Sequence, residues 1–257
     1  MAGTTTKETR LWLWRHRADL ALLIAAVIVV VFAIWVILGS GGPAAASGAT
    51  RPAISTTPVV TPKETTGTSK TPSKRPVAVF VGDSYTTGVG GGGTKWTTLL
   101  AQREGWTEVN LGYRGTGYAK AFNAPDCPAA GCPNYLKVVG QVVAKRPDIV
   151  VVSGGRNDAV DTGAAATNIP LVFQQLRAKL PKARIIAISP FWGSRRYPAS
   201  LRTIGSDVRK AAKSVRGQYV DIGSPLRNRS DQLGSDGIYP TAAGQKTLAS
   251  AVESKLK

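Results

Sequence analysis

The chain has 257 residues, with 33 Lys/Arg against 15 Asp/Glu, a net charge of +18 and one histidine. Its length admits one or two domains. Its positive field draws anionic partners, but no helix-turn-helix, zinc-finger or RNA-binding signature accompanies the charge, so nucleic acid is not the expected partner.

Residues 1–19 form a short segment carrying Lys7, Arg10, Arg15 and Arg17. Residues 20–38 carry no charge and are rich in Val, Ile, Leu and Ala. As a helix rising about 1.5 Å per residue, such a run crosses a hydrocarbon core of about 30 Å. The next charge is Arg51, so the positive-inside rule puts the N-terminus in the cytoplasm and the rest outside. Trp12, Trp14 and Trp35 fall near the two interfaces, where indole rings prefer to lie. The expectation is a retained, single-pass signal anchor in the cell membrane. The alternative is a secreted protein, cleaved after Ala44-Ala45-Ala46, but the apolar core is longer than the roughly 7–15 residues of a signal peptide. Residues 39–75 are rich in Pro, Thr and Ser. They lack the apolar side chains needed to fold and suit an extended tether.

From residue 76 to 257 the pattern changes. Val77–Val81, Thr107–Leu111, Asp148–Val152, Arg184–Ile188 and Tyr219–Ile222 are short apolar runs. Continuous apolar strands indicate a parallel sheet covered on both faces. Between them lie helix candidates at Thr94–Arg103, Tyr135–Lys145, Thr167–Leu180, Leu201–Val215 and Thr241–Lys255. Five βα units predict one α/β domain, a three-layer α/β/α sandwich with a flavodoxin-like, five-stranded parallel sheet. Ligands of such sheets bind beyond the strand C-termini. This region alone holds 24 Lys/Arg and 12 Asp/Glu, a net +12, which suits an anionic envelope polymer or lipid headgroups; a merely solvated basic surface is the alternative. Cys127 and Cys132 are the two cysteines. With no histidine beside them no metal site is expected, and in an exported loop they predict a local disulfide.

Four segments fall at strand ends: Gly82-Asp83-Ser84, Asn110-Leu-Gly112-Tyr-Arg-Gly115, Gly155-Arg156-Asn157-Asp158 and Asp236-Gly-Ile-Tyr239-Pro240. Each alone is a common turn. In this order they resemble the SGNH/GDSL hydrolases, whose blocks are Gly-Asp-Ser, Asn-x-Gly-x-x-Gly, Gly-x-Asn-Asp and Asp-x-x-His-Pro. The resemblance implies Ser84 as nucleophile. It implies an oxyanion hole from the backbone N–H groups of Ser84 and Gly112 and the side-chain amide of Asn157, and Asp236 as the carboxylate that orients the base. Such pre-aimed donors stabilise the charge that acyl transfer puts on a carbonyl oxygen. No cofactor is implied. Asp83, Arg156 and Trp192 are candidate pocket residues; for the segment around Trp192, ordinary surface packing is the alternative.

The departure is the base. Tyr239 stands at the histidine position, and the single histidine, His16, precedes the apolar segment. A phenol, with an ordinary pKa of about 10, accepts a proton poorly at pH 7. Gly88–Gly93 with Thr94-Lys95 lacks the Gly-Lys-Ser/Thr order of a phosphate-binding loop and reads as a flexible loop beside Ser84. Two functions follow. One is an extracytoplasmic serine esterase acting on O-acyl esters of envelope carbohydrate or lipid. The other is a catalytically silent binding or scaffold module on the same fold.

Overall fold

The structure, a computed structural model, describes residues 74–193 and 195–256. The expected cytoplasmic segment, the membrane anchor and most of the tether lie outside the described residues. Among the described residues no helix is long and apolar enough to cross a membrane.

Five strands form one sheet: β1 (Val77–Gly82), β2 (Thr107–Gly112), β3 (Ile149–Val152), β4 (Arg184–Ile188) and β5 (Gln218–Val220). Their order is β2-β1-β3-β4-β5, and every pairing is parallel. Six α-helices connect and cover them: α1 (Ser84–Thr87), α2 (Trp96–Arg103), α3 (Tyr135–Ala144), α4 (Thr162–Lys179), α5 (Ala199–Ser214) and α6 (Ala242–Leu256).

Side chains alternate across a strand, so β1, β3 and β4 each feed two cores. Val79, Val81, Val150, Val152 and Ile185 pack with α3, α4 and α5 through Val138, Ile169, Phe173 and Val208. Ala78, Phe80, Val151, Ile186 and Ile188 pack with α2 and α6 through Trp96, Leu100, Leu248 and Val252. This is the three-layer sandwich that the continuous apolar strands predict. The register pairs Gly82 with Gly112 and Val81 with Val152, so the chain segments after β1, β2 and β3 leave the sheet at one level. That level carries the motifs.

Two of the boundaries that differ from expectation have a cause in hydrogen bonding. Helix α4 starts at Thr162, five residues before Thr167, because the Asp161 side chain accepts the Ala164 N–H (2.9 Å) and caps it. The low-contrast run after the cap hides that start, as does Pro170 inside the helix. Strand β5 stops at Val220, and the N–H of Ile222 goes instead to Ser189 Oγ (3.1 Å).

Candidate active site

Ser84 opens α1 directly after β1 and is 5% exposed. Asp83 fixes the turn by accepting the Tyr85 N–H at Oδ1 (3.0 Å). Gly82 leaves no room for a Cβ, which would collide with Thr86 and Ser153; those two hydroxyls are hydrogen bonded to each other (2.8 Å). Ser84 Oγ accepts a hydrogen bond from the N–H of Gly115 (3.3 Å).

That contact puts Gly115 against the nucleophile, where the resemblance implied Gly112. The N–H of Gly112 is taken by Asn110 Oδ1 (2.9 Å), while Asn110 Nδ2 donates to the Thr86 carbonyl (2.8 Å) and Thr97 Oγ1 (3.1 Å). Asn110 thus braces the end of β2 and consumes the donor assigned to Gly112. Three residues on, Gly115 takes φ +70, a left-handed conformation natural to glycine, and turns its N–H onto Ser84. The spacing Asn-x-Gly-x-x-Gly contains both glycines, and only the geometry separates their contacts.

Gly115 is buttressed from behind. A Cβ there would meet the Phe122 ring at 2.6 Å. Phe122 forms an antiparallel bridge with Cys132, and Cys132 is disulfide-bonded to Cys127 as expected. Asn157 lies in the 3-10 turn Arg156–Val160 and donates through Nδ2 to the Thr116 carbonyl (2.8 Å). One amide hydrogen is used there, and the second stays available beside Gly115. Asp158 is buried and accepts the N–H groups of Tyr118, Ala119 and Lys120 (2.8–3.0 Å). It folds the segment after Gly115 against Asn157, a duty that sequence reading did not assign.

Asp236 and Tyr239 lie in one turn, joined through the backbone. Asp236 Oδ1 accepts the N–H groups of Ile238 (2.7 Å) and Tyr239 (3.1 Å), and these bonds hold its pKa below the usual carboxylate value. The turn is tied to the nucleophile segment: Tyr85 Oη donates to the Ile238 carbonyl (2.6 Å), and a Cβ at Gly90 would sit 2.9 Å from Tyr239 Cβ. Gly90 belongs to the glycine-rich stretch, which is a succession of hydrogen-bonded turns (Gly91 N–H to Gly88 O, Thr94 N–H to Gly91 O). Ser84, Gly115, Asn157, Asp236 and Tyr239 therefore share one end of the sheet. Among the described residues no basic side chain is hydrogen bonded to Ser84 Oγ, and Tyr239 Oη has no hydrogen-bond partner.

Of the three candidate pocket residues, Arg156 and Trp192 line a cavity of about 160 Å³ with Tyr85, Arg195, Asp236 and Ile238. Asp83 does not. It is 2% exposed, turned inward to cap α1, and burial raises its pKa to about 6 against the opposing pull of the Tyr85 N–H and Arg156. Among the described residues no cluster of His, Cys, Asp or Glu is placed to hold a metal ion.

Residues 80–247 match the GDSL-like lipase/acylhydrolase family. The GDSL lipase Rv0518 of Mycobacterium tuberculosis is 30% identical over 194 residues, spanning 69% of this chain and 79% of that protein. Two solved structures share the fold. A family two carbohydrate esterase from Clostridium thermocellum, in complex with cellohexaose, has a TM-score of 0.54 at 17% identity, covering 72% of this chain and 65% of its own. The salicylyl-acyltransferase SsfX3 from a tetracycline biosynthetic pathway has a TM-score of 0.56 at 20% identity, covering 73% and 55%.

Proposed function

This chain belongs to the GDSL-like lipase/acylhydrolase family, and from that premise we propose that its exported domain is a slow Ser84 esterase for O-acyl groups on envelope carbohydrate or lipid. The observation that carries the proposal is the Gly115 N–H on Ser84 Oγ (3.3 Å), with Asn157 held beside it through Thr116. In this reading Ser84 Oγ attacks the ester carbonyl carbon. Negative charge moves to the carbonyl oxygen, which the N–H groups of Ser84 and Gly115 and the free amide hydrogen of Asn157 stabilise. The carbon–oxygen bond to the alcohol breaks, and water later releases the acyl group from Ser84. The hydroxyl proton has no imidazole to receive it and leaves to water or to the departing alkoxide.

The missing imidazole sets the rate. Loss of the serine or histidine of a comparable triad costs about 10⁶ in turnover, and about 10³–10⁴ over water survives through the oxyanion hole and binding. That residual is the activity proposed here.

A silent binding module on the same cradle is the second reading. It is favoured by Tyr239, whose phenol makes no bond to Ser84 or Asp236 and whose backbone is packed against Gly90. Labelling of the full-length chain with a fluorophosphonate separates the two. The esterase reading expects slow labelling that Ser84→Ala abolishes. A wild-type chain that stays unlabelled under forcing conditions establishes the silent module.

A further inference from the structure

Arg156 is the anomaly of this site. Its guanidinium lies 5.3 Å from the ring centroid of Tyr85 and 5.1 Å from that of Trp192. Two aromatic rings thus hold a half-buried charge in place. Several other arginines of the domain find oxygen partners, and those that do not, such as Arg195, Arg216 and Arg227, are exposed. Arg103, Arg114 and Arg209 pair with carboxylates, and Arg177 and Arg202 donate to carbonyls. Among the described residues Arg156 has neither a carboxylate within 4 Å nor a hydrogen bond. Asp83 and Asp236 both feel its charge, but each is engaged elsewhere, Asp83 with Tyr85 N–H and Asp236 with Ile238 and Tyr239 N–H.

A guanidinium offers five donors in a flat fork that matches carboxylate and phosphate oxygens. Keeping it half-buried without an anion costs free energy, and stacking leaves the donor edges open. The cavity of about 160 Å³ that Arg156 shares with Arg195 equals the liquid volume of about five waters. That is room for a carboxylate or a phosphate against the guanidinium.

We propose that Arg156 receives an anionic group of the substrate, so that the ester presented to Ser84 belongs to a carbohydrate bearing a carboxylate or phosphate near its acyl group. The inference rests on the esterase reading for the ester, while the anion site stands on its own geometry. Arg195 adds a second positive charge at the cavity, and Asp236 on the same wall opposes a multiply charged group that is too large to lie against the fork alone.

The test titrates the full-length chain with glucose 6-phosphate, glucuronate and glucose, following tryptophan emission, with Trp192→Phe identifying the share of Trp192. The two anions should give saturable changes, and glucose none at the same concentration. Which anion binds more tightly distinguishes a phosphate from a carboxylate source. Arg156→Gln should weaken anion binding by about tenfold or more, the scale of a charge-assisted pair. If that variant does not fold, Arg156→Lys carries the comparison, since it keeps the charge but loses the fork, and affinity must still fall. Equal binding by wild type and both variants, an equal response to glucose, or no saturable response to either anion overturns the inference. Fluorophosphonate labelling with a flat titration removes the anion site alone; a clear titration with no labelling removes the esterase reading alone.

Discussion

Asp83 carries a carboxyl group into the interior one residue before the nucleophile, and its duty is to cap α1 through the Tyr85 N–H. Burial raises its pKa from 3.8 to about 6. A raised carboxyl pKa means that the folded chain holds the proton more tightly than the unfolded chain. The associated stability is full below pH 3.8 and is lost as pH rises through about 6, at a cost of about 3 kcal/mol at neutral pH. Asp83→Asn keeps the acceptor oxygen and removes the titration. The variant should therefore melt higher than wild type at pH 7.5, and the advantage should vanish by pH 4; thermal melts at both pH values read this directly. An unchanged difference across that window would mean that the carboxyl is not the titrating group. At this scale the sequence names Ser84, Asn157 and Asp236 through the order of four turn motifs. It does not separate Gly112 from Gly115, because the choice depends on where Asn110 sends its side chain. Nor does it show that Arg156 stacks between Tyr85 and Trp192, residues 71 and 36 positions away along the chain.

The segment from Tyr113 to Cys132 matters most among the elements, because it carries Gly115, the proposed oxyanion donor, without belonging to a strand or α-helix. Phe122 supports Gly115, and the Cys127–Cys132 disulfide holds the bridge in which Phe122 sits. The ion pair Arg114–Asp126 (3.1 Å) joins the same two stretches, but both side chains are exposed and the pair adds little. Closing so short a loop stabilises the fold by about 2 kcal/mol in the chain-entropy picture. Replacing both cysteines by serine should lower the melting temperature modestly and slow fluorophosphonate labelling of Ser84, with circular dichroism otherwise native. Labelling at the wild-type rate would show that Gly115 keeps its place without the bridge. Strands β1 to β4 are legible to within a residue, since a buried parallel strand is apolar throughout. The start of α4 is not, because its first turns are Gly and Ala, which carry no periodicity, and its boundary is set by one capping carboxylate. The glycine-rich stretch after α1 reads as flexible in sequence. In the fold its missing side chains allow close approach to Tyr239 and Gln245.

For the whole molecule, the two cores around one sheet place every motif at the strand C-termini, as a parallel α/β fold requires. The proposal of a tethered, exported domain rests on residues 1–75, where a charge-free run follows four basic residues. The intact chain should fractionate with membranes, and external protease should release a soluble domain of about 180 residues, a usual single-domain size. A mature N-terminus found near Ser47 would replace the anchor with a cleaved signal. The central claim is narrower: the cradle around Ser84 is complete and the site lacks a base. Tyr239→His tests it most directly. The turn already sets Asp236 three residues before the new imidazole, with its second carboxylate oxygen unbonded to the backbone. An imidazole with pKa of about 6.5 accepts a proton at pH 7 as a phenol does not. Hydrolysis of a short acyl ester should rise by at least about tenfold over wild type, and the gain should disappear when Ser84→Ala is added. Strong wild-type turnover that depends on Ser84 and falls in Tyr239→His would contradict the account, for Tyr239 would then be a working part of the mechanism.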